Sequence, residues 1–226
     1  GKTLNSIFRY CSNLIYVPLL NVPNITLLSY SFGECNKLKT VKLITSNKLT
    51  TALSTFEYCK NLITVSLFDT SNVTTFQNMF LDCESLFNIP NFNVGKCTNF
   101  ASTFKFCFNI NYIPNMNFSN VINYNSMCST CYKIKNVPTT LDFLQTTNIA
   151  NMFENCINIT EFPYKLNLNS SATTASDGIK DYSYFLRNTK ITEISFGKYF
   201  KTNGDSYILN GVSSLKKITV DDFNGS

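Results

Sequence analysis

Cysteine recurs every 24 residues along most of this chain. It stands at Cys11, Cys35, Cys59, Cys83, Cys107, Cys131 and Cys156, and only the last step, of 25, departs from the period. Three residues before each lies Phe8, Phe32, Phe56, Phe80, Phe104, Cys128 or Phe153. Three after comes Leu14, Leu38, Leu62, Leu86, Ile110, Ile134 or Ile159, and six after comes Val17, Val41, Val65, Ile89, Ile113, Val137 or Phe162. Columns aligned in this way mark an internal repeat. Units of this length cannot bury their own apolar residues, so they stack and share a core. Phe185, Asn188, Ile191 and Ile194, then Leu209, Val212, Leu215 and Ile218, extend the columns with the cysteine replaced. The expectation is a single solenoid over residues 1–226, with about nine units of about 24 residues. A polar run places a loop insertion at about 169–180, and the last two units, 181–226, diverge.

Spacing within a unit predicts its parts. Val73, Phe76, Phe80 and Cys83 step by three, four and three, as do Cys97, Phe100, Phe104 and Cys107, and Ile25, Leu28, Phe32 and Cys35. That is the pattern of one face of a short helix, which Ser71 or Asn72 would cap. Val65-Ser66-Leu67 alternates as a strand does. Pro18, Pro90, Pro114, Pro138 and Pro163 share one column, so strands of two to four residues are expected, irregular where proline removes a donor. The fold class read from the sequence is therefore an α/β repeat, a leucine-rich-repeat solenoid. Each unit is a short helix plus a short strand, and the strands form a curved parallel sheet.

Asp69-Thr70-Ser71-Asn72-Val73, then Met79-Phe80, Cys83 and Leu86, resembles the BspA-like leucine-rich repeat family, in particular the branch of Mycoplasma surface lipoproteins. Asn151-Met152-Phe153-Glu154-Asn155-Cys156 carries the same signature. The resemblance implies a curved solenoid and a role in recognising proteins or surface ligands. Such repeats occur in bacterial surface adhesins, in surface proteins of protist parasites and in phage structural or tail-associated proteins. No catalytic residue comes with the resemblance.

The residues agree with a non-enzymatic reading. The chain has no histidine, which removes the commonest general base and the Ser-His-Asp and Cys-His nucleophiles. It has eight glycines and no phosphate-binding loop. Cys128-x-x-Cys131 lacks the second pair or the histidines that a structural zinc site needs. The periodic cysteines read as small core hydrophobes rather than disulfides or ligands. Neither a metal nor any other cofactor is expected. Nucleic acid is not an expected partner either: the net charge of +5 comes from lysines spread along the chain, not gathered with stacking aromatics. No run of apolar residues is long enough to cross a bilayer. The chain is expected to be part of a longer polypeptide or assembly.

The expected core ladder is Phe8, Phe32, Phe56, Phe80, Phe104 and Phe153, with Cys11, Cys35, Cys59, Cys83, Cys107, Cys131 and Cys156. The expected ligand-binding face holds the residues that alternate with the inward Val and Leu positions: Tyr16, Thr40, Lys42, Thr64, Ser66, Asn88, Tyr112, Asn136 and Lys217. Its partner would be a protein or a surface glycoconjugate, met at a cell surface, as a secreted molecule or on a virion. A structural subunit or spacer of a larger assembly, such as a phage particle, is the alternative. Burying one ladder phenylalanine contributes roughly 2–3 kcal/mol at about 25 cal/mol per Å². Phe80→Ala and Phe104→Ala should therefore each destabilise the chain by roughly 3–5 kcal/mol in thermal or denaturant unfolding, and unchanged midpoints would refute the register.

Overall fold

The computed structural model describes residues 3–141, 143, 145–166, 181–197 and 207–220, so the loop insertion expected at about 169–180 lies outside the described residues. Among the described residues there is no helix. The short strands are β1 (Leu20–Asn21), β2 (Thr40–Val41), β3 (Leu43–Ile44), β4 (Thr64–Val65), β5 (Lys165–Leu166), β6 (Glu193–Phe196) and β7 (Lys217–Val220). They pair in parallel as β1–β3, β2–β4 and β5–β6–β7, three separate patches rather than one curved sheet. The unit of helix plus strand read from the sequence is thus corrected.

What replaces the helix is a spiral of overlapping turns. The N–H groups of Met79, Leu81 and Cys83 donate three residues back, to the carbonyls of Phe76, Asn78 and Phe80. The N–H groups between them, on Phe76, Asn78, Phe80 and Asp82, donate instead to Asn99, Ala101, Thr103 and Lys105 of the next coil, at 2.8–3.0 Å. The remaining N–H, on Gln77, donates to Thr75 Oγ1. Every N–H from Phe76 to Cys83 thus has a partner, half of them in the neighbouring coil. An α-helix would use these donors inside the unit and leave nothing to tie coils together. The spacing of three, four and three identified the inward residues correctly, because a chain of three-residue turns brings them to one side much as a helix does.

The backbone dihedrals show why the helix does not form. Two residues per coil, five and one before the cysteine column, have positive φ: Asn78 and Asp82 at 54° and 58°, Asn151 and Asn155 at 56° and 59°, and so on through the stack. Each occupies the third position of a turn, where left-handed φ is required. Thr75, Asn99, Asn123, Asn148 and Asp181 form a column whose side-chain oxygens accept from the N–H two residues on, at 3.0–3.2 Å, opening each spiral with an Asx or Ser/Thr turn. A helix cap at Ser71 or Asn72 is corrected accordingly. Ser71 donates to Asp69 Oδ1 through both N and Oγ, and Asn72 Nδ2 reaches the Asn47 carbonyl of the preceding coil at 2.6 Å.

The dihedrals also correct the register of the coil that carries Phe185, whereas Tyr207 and Gly211, five and one residues before Val212, leave the last coil as expected. Tyr184 and Asn188 carry the positive φ values, and Asn155 donates to Arg187. Leu186 and Thr189, not Phe185 and Asn188, therefore continue the phenylalanine and cysteine columns. In the coil after that, Gly211 has φ 75°, and a Cβ there would fall 1.9 Å from Asn188 Oδ1, so a larger residue at this left-handed position would have to displace the Asn188 side chain.

Side chains from successive coils meet like with like. The rings of Phe8, Phe32, Phe56, Phe80 and Phe104 stack with centroids 5.2–5.8 Å apart and planes within 18°. From Phe32 onward these rings are buried, whereas Phe8 is half-buried. Where Cys128 interrupts the ring column, Phe153 packs edge-on against Phe185. Proline alters the strand side. Where Pro90 and Pro114 stand, there is no strand, and the N–H groups of Phe92 and Met116 close three-residue turns onto the proline carbonyls at 2.9 Å. That turn swings Phe92 and Met116 into the core, the Phe92 ring 5.2 Å from that of Phe68.

Asparagine and lysine alternate along one outer column and, apart from Ser85, along a second, and bond across the coils. Lys37, Lys48 and Lys133 donate to the amide oxygens of Asn13, Asn24 and Asn109, each 24 residues earlier, at 2.6–2.9 Å, and Lys96 does the same to Asn72. Asn61, Asn109 and Asn120 donate in turn to the carbonyls of Asn36, Glu84 and Gly95 in the coil before. Many lysines thus serve as struts between coils.

Non-glycine residues at positive φ cost about 1–2 kcal/mol unless they are Asn or Asp. Tyr58, at φ 59° with an exposed ring, is one such position. Tyr58→Asn should stabilise the chain by about 0.5–1 kcal/mol, and Tyr58→Val should destabilise it, since β-branching opposes this geometry. Both are read as shifts in the denaturation midpoint.

Candidate functional site

The cysteine column comes first, because nine thiols could suggest chemistry. All nine are free; Cys11 is exposed and the other eight are buried. The sulfur of each inner column member lies against the carbonyl of the residue in the phenylalanine column one coil earlier. Cys35 reaches Phe8, Cys59 Phe32, Cys83 Phe56, Cys107 Phe80, Cys131 Phe104 and Cys156 Cys128, at 2.9–3.1 Å. Cysteine is small enough for the crowded spine and still supplies a donor to a carbonyl oxygen that already accepts one bond. Burial pushes the Cys35 thiol up to about 11 and the Cys97 thiol up to about 12, and it raises Cys59, Cys83, Cys107, Cys128 and Cys156 as well. These thiols stay protonated at neutral pH, so they pack and donate rather than attack. No group of His, Cys, Asp or Glu side chains among the described residues could hold a metal ion.

The strand side carries the expected ligand-binding face. Tyr16, Thr40, Thr64 and Asn88 are bridged in parallel from coil to coil, and the Tyr112 hydroxyl lies 3.5 Å from Asn88 Oδ1. Asn136 continues the spacing of 24. At the far end Lys217 pairs with Glu193 at 3.5 Å across β6 and β7. Tyr16, Asn88, Tyr112, Asn136 and Lys217 are exposed, whereas Thr40, Thr64 and Ser66 are half-buried. Lys42 is exposed two residues beyond Thr40. Ser66 is engaged with its neighbour, accepting from Leu43 N at 2.9 Å, and so has less to offer a ligand.

Beside this stripe runs a row that the sequence reading missed. Ile15, Lys39, Ile63 and Phe87 succeed one another at intervals of 24, and the N–H groups of Lys39, Ile63 and Phe87 donate to the carbonyl of the row's preceding member at 2.9–3.2 Å. All four side chains are exposed, with Ile15 at 54%, Ile63 at 48% and Phe87 at 55%. The signal was available as apolar residues recurring at 24 in a column that faces away from the core. Two shallow cavities border the first coils of the face, and a third, of about 540 Å³, lies beside Asn136 and Glu161. Of the first two, one, of about 190 Å³, is lined by Ile15, Lys37, Lys39 and Asn61, and the other, of about 390 Å³, opens between Leu43, Ile44, Leu67, Phe68 and Asp69.

Geometry thus defines a repeat protein whose coils of about 24 residues are held by turn-to-turn hydrogen bonds and which presents one semi-apolar strand-side face. The chain belongs to the family described as Mycoplasma protein of unknown function, DUF285, which matches residues 2–111 and again 47–166. No curated protein sequence matches it. Among solved structures it is similar to a leucine-rich repeat protein from Bacteroides ovatus, at 16% identity and TM-score 0.45, over 89% of this chain and 63% of that one. It is similar to a leucine-rich repeat protein from Eubacterium ventriosum at 18% identity and TM-score 0.37, over 68% of this chain and 34% of that one. A leucine rich cell surface protein from Faecalibacterium prausnitzii matches at 14% identity and TM-score 0.33, over 97% and 83%. The chain spans less than two thirds of the length of the first two. No helix among its described residues is long and apolar enough to cross a membrane.

The buried thiols set an alkaline limit to stability. A thiol raised above its unfolded value contributes stability fully below about pH 9, and this is lost as pH rises through the folded value. Between pH 9 and about 11, the range reached by Cys35, the unfolded chain releases protons that the folded chain retains. The thermal midpoint should fall steadily across that window, each such thiol contributing up to roughly 1.4 kcal/mol per pH unit. A flat midpoint from pH 8 to 11 would contradict the buried ladder.

Proposed function

We propose that this chain is a non-catalytic recognition module that binds a protein partner across its strand-side face, at a cell surface, as a secreted molecule or on a virion. One observation carries the reading. Ile15, Tyr16, Ile63, Phe87 and Tyr112 are large apolar or aromatic side chains, all exposed, and the stacking register gathers them onto one face. Exposed apolar side chains scattered singly need no explanation, but aligned ones cover a contiguous patch, and such patches mark interaction sites. Tyrosine and asparagine beside them, at Tyr16, Asn88, Tyr112 and Asn136, give amphipathic contacts at low entropic cost.

The interior supports the same reading. The thiols are buried, protonated packing groups that donate to backbone carbonyls. The free energy of the fold goes into rigidity, which preorganises a surface for binding.

Selection from a displayed protein or peptide library tests this. Binders enriched on the native chain should lose about tenfold or more in affinity for Phe87→Ser with Tyr112→Ser, two changes that touch no core residue. Equal binding to the double variant would remove the face from consideration.

A further inference from the structure

The strand-side face has an electrostatic character that its apolar row alone does not show, and the inference drawn from it rests on the reading above. Most cations of the first four coils are already engaged. Lys37 and Lys48 donate to Asn13 and Asn24, Lys60 pairs with Glu84 at 2.6 Å and Asp82 at 3.3 Å, and Arg9 pairs with Glu57 at 3.2 Å. Two remain. Lys39 and Lys42 are exposed on the face, and among the described residues neither meets a carboxylate or any side-chain acceptor. Lys39 stands inside the apolar row, with Ile15 one coil before and Ile63 one coil after. Lys42 stands two residues beyond Thr40, so it shares the outward side of the strand on which Thr40 is bridged to Tyr16 and Thr64.

An ammonium held among apolar side chains without a counter-charge is partly desolvated when anything covers the row. A neutral apolar partner would bury Lys39 unpaired and bind weakly. A partner that brings a carboxylate to the same place converts that cost into an attraction. We propose that coils one to four of this face take an acidic segment of a partner protein, with carboxylates set against Lys39 and Lys42 and apolar side chains laid on Ile15, Ile63 and Phe87. From Ile15 to Phe87 is three coil steps, roughly 14 Å at the usual strand spacing, the reach of roughly four or five extended residues. The two cavities, beside Lys39 and beyond Leu43, are places where apolar side chains of that segment would seat. On the other half of the face the charges are mixed: Glu161 stands in the Tyr16 column, Lys217 is already paired with Glu193 and Lys135 is exposed, so the two neighbouring unpaired lysines that direct the acidic segment lie in the first coils.

A random peptide library displayed on phage, panned on the whole chain, decides the matter. Enriched peptides should combine Asp or Glu with Leu, Ile or Phe, and should lose about tenfold in affinity on Lys39→Gln with Lys42→Gln, with further weakening as salt rises. Lys135→Gln, on a later coil, should leave them unchanged. Enrichment of neutral or basic peptides that still depend on Phe87 and Tyr112 would overturn the acidic assignment while leaving the face as the binding site. Peptides indifferent to Phe87, Tyr112, Lys39 and Lys42 alike would remove both. No enrichment at all would overturn this assignment too. Heparin, used as a sulfated glycan probe, should compete weakly. Tight heparin binding lost with Lys39→Gln and Lys42→Gln but retained in Phe87→Ser would assign the lysines to a glycan and overturn the proposal.

Discussion

The structure depends on where alternate backbone N–H groups of the turn spiral point. From Phe76 to Cys83 three donate three residues back, one donates to Thr75 Oγ1, and the other four cross to the next coil. Because the crossing donors are evenly spaced, consecutive coils are locked in register, and side chains of the same column must meet. The phenylalanine stack and the thiol-to-carbonyl contacts follow from that lock. On the strand side the crossing runs the other way: Lys39, Ile63 and Phe87 donate to the coil before. Each coil thus gives to and takes from both neighbours, and a cut through the stack at any level breaks bonds of both directions.

The inward columns were legible along the middle coils, since hydrophobic side chains at fixed spacing report which way they face, but not at the ends, where Cys11 is exposed and the coil of Phe185 is shifted by one. The backbone that delivers them was not. Steps of three, four and three fit a helix and a run of turns equally well. The deciding information sat in residues of the polar columns, Asn78 and Asp82 or Asn151 and Asn155, whose tolerance of left-handed φ is a weak local preference. Ser, Tyr, Glu, Phe and Thr fill the same positions elsewhere, as at Ser54, Tyr58, Glu34, Phe106 and Thr130, which hides the pattern in any single unit. A helix reading also set the register of the coil that carries Phe185 one residue astray, because Phe185 is apolar and Leu186 equally so, and only the backbone distinguishes them.

The candidate face was legible in part. Tyr16, Thr40, Thr64, Asn88 and Tyr112 came from strand alternation, and their spacing of 24 brings them into line. The apolar row beside them could not be recognised as exposed from a strand period of two, because Ile15, Ile63 and Phe87 lie in the bend before the strand, where alternation has not begun. Cysteine illustrates the same limit from the other side. Its period betrayed a buried position, but its preference over alanine or valine depends on the preceding coil's carbonyl, a partner 27 residues away.

The alternation of asparagine and lysine has a consequence for how such a chain can change length. Asn24, Lys48, Asn72, Lys96 and Asn120 form a sequence in which each ammonium rests on the amide of the coil before. Excising the coil that carries Asn72 would set Lys48 beside Lys96, ammonium against ammonium, with the amide acceptor gone. Excising two coils restores an Asn–Lys contact. Duplication and loss within this chain are therefore least disruptive in steps of 48 residues, twice the period that its cysteines announce.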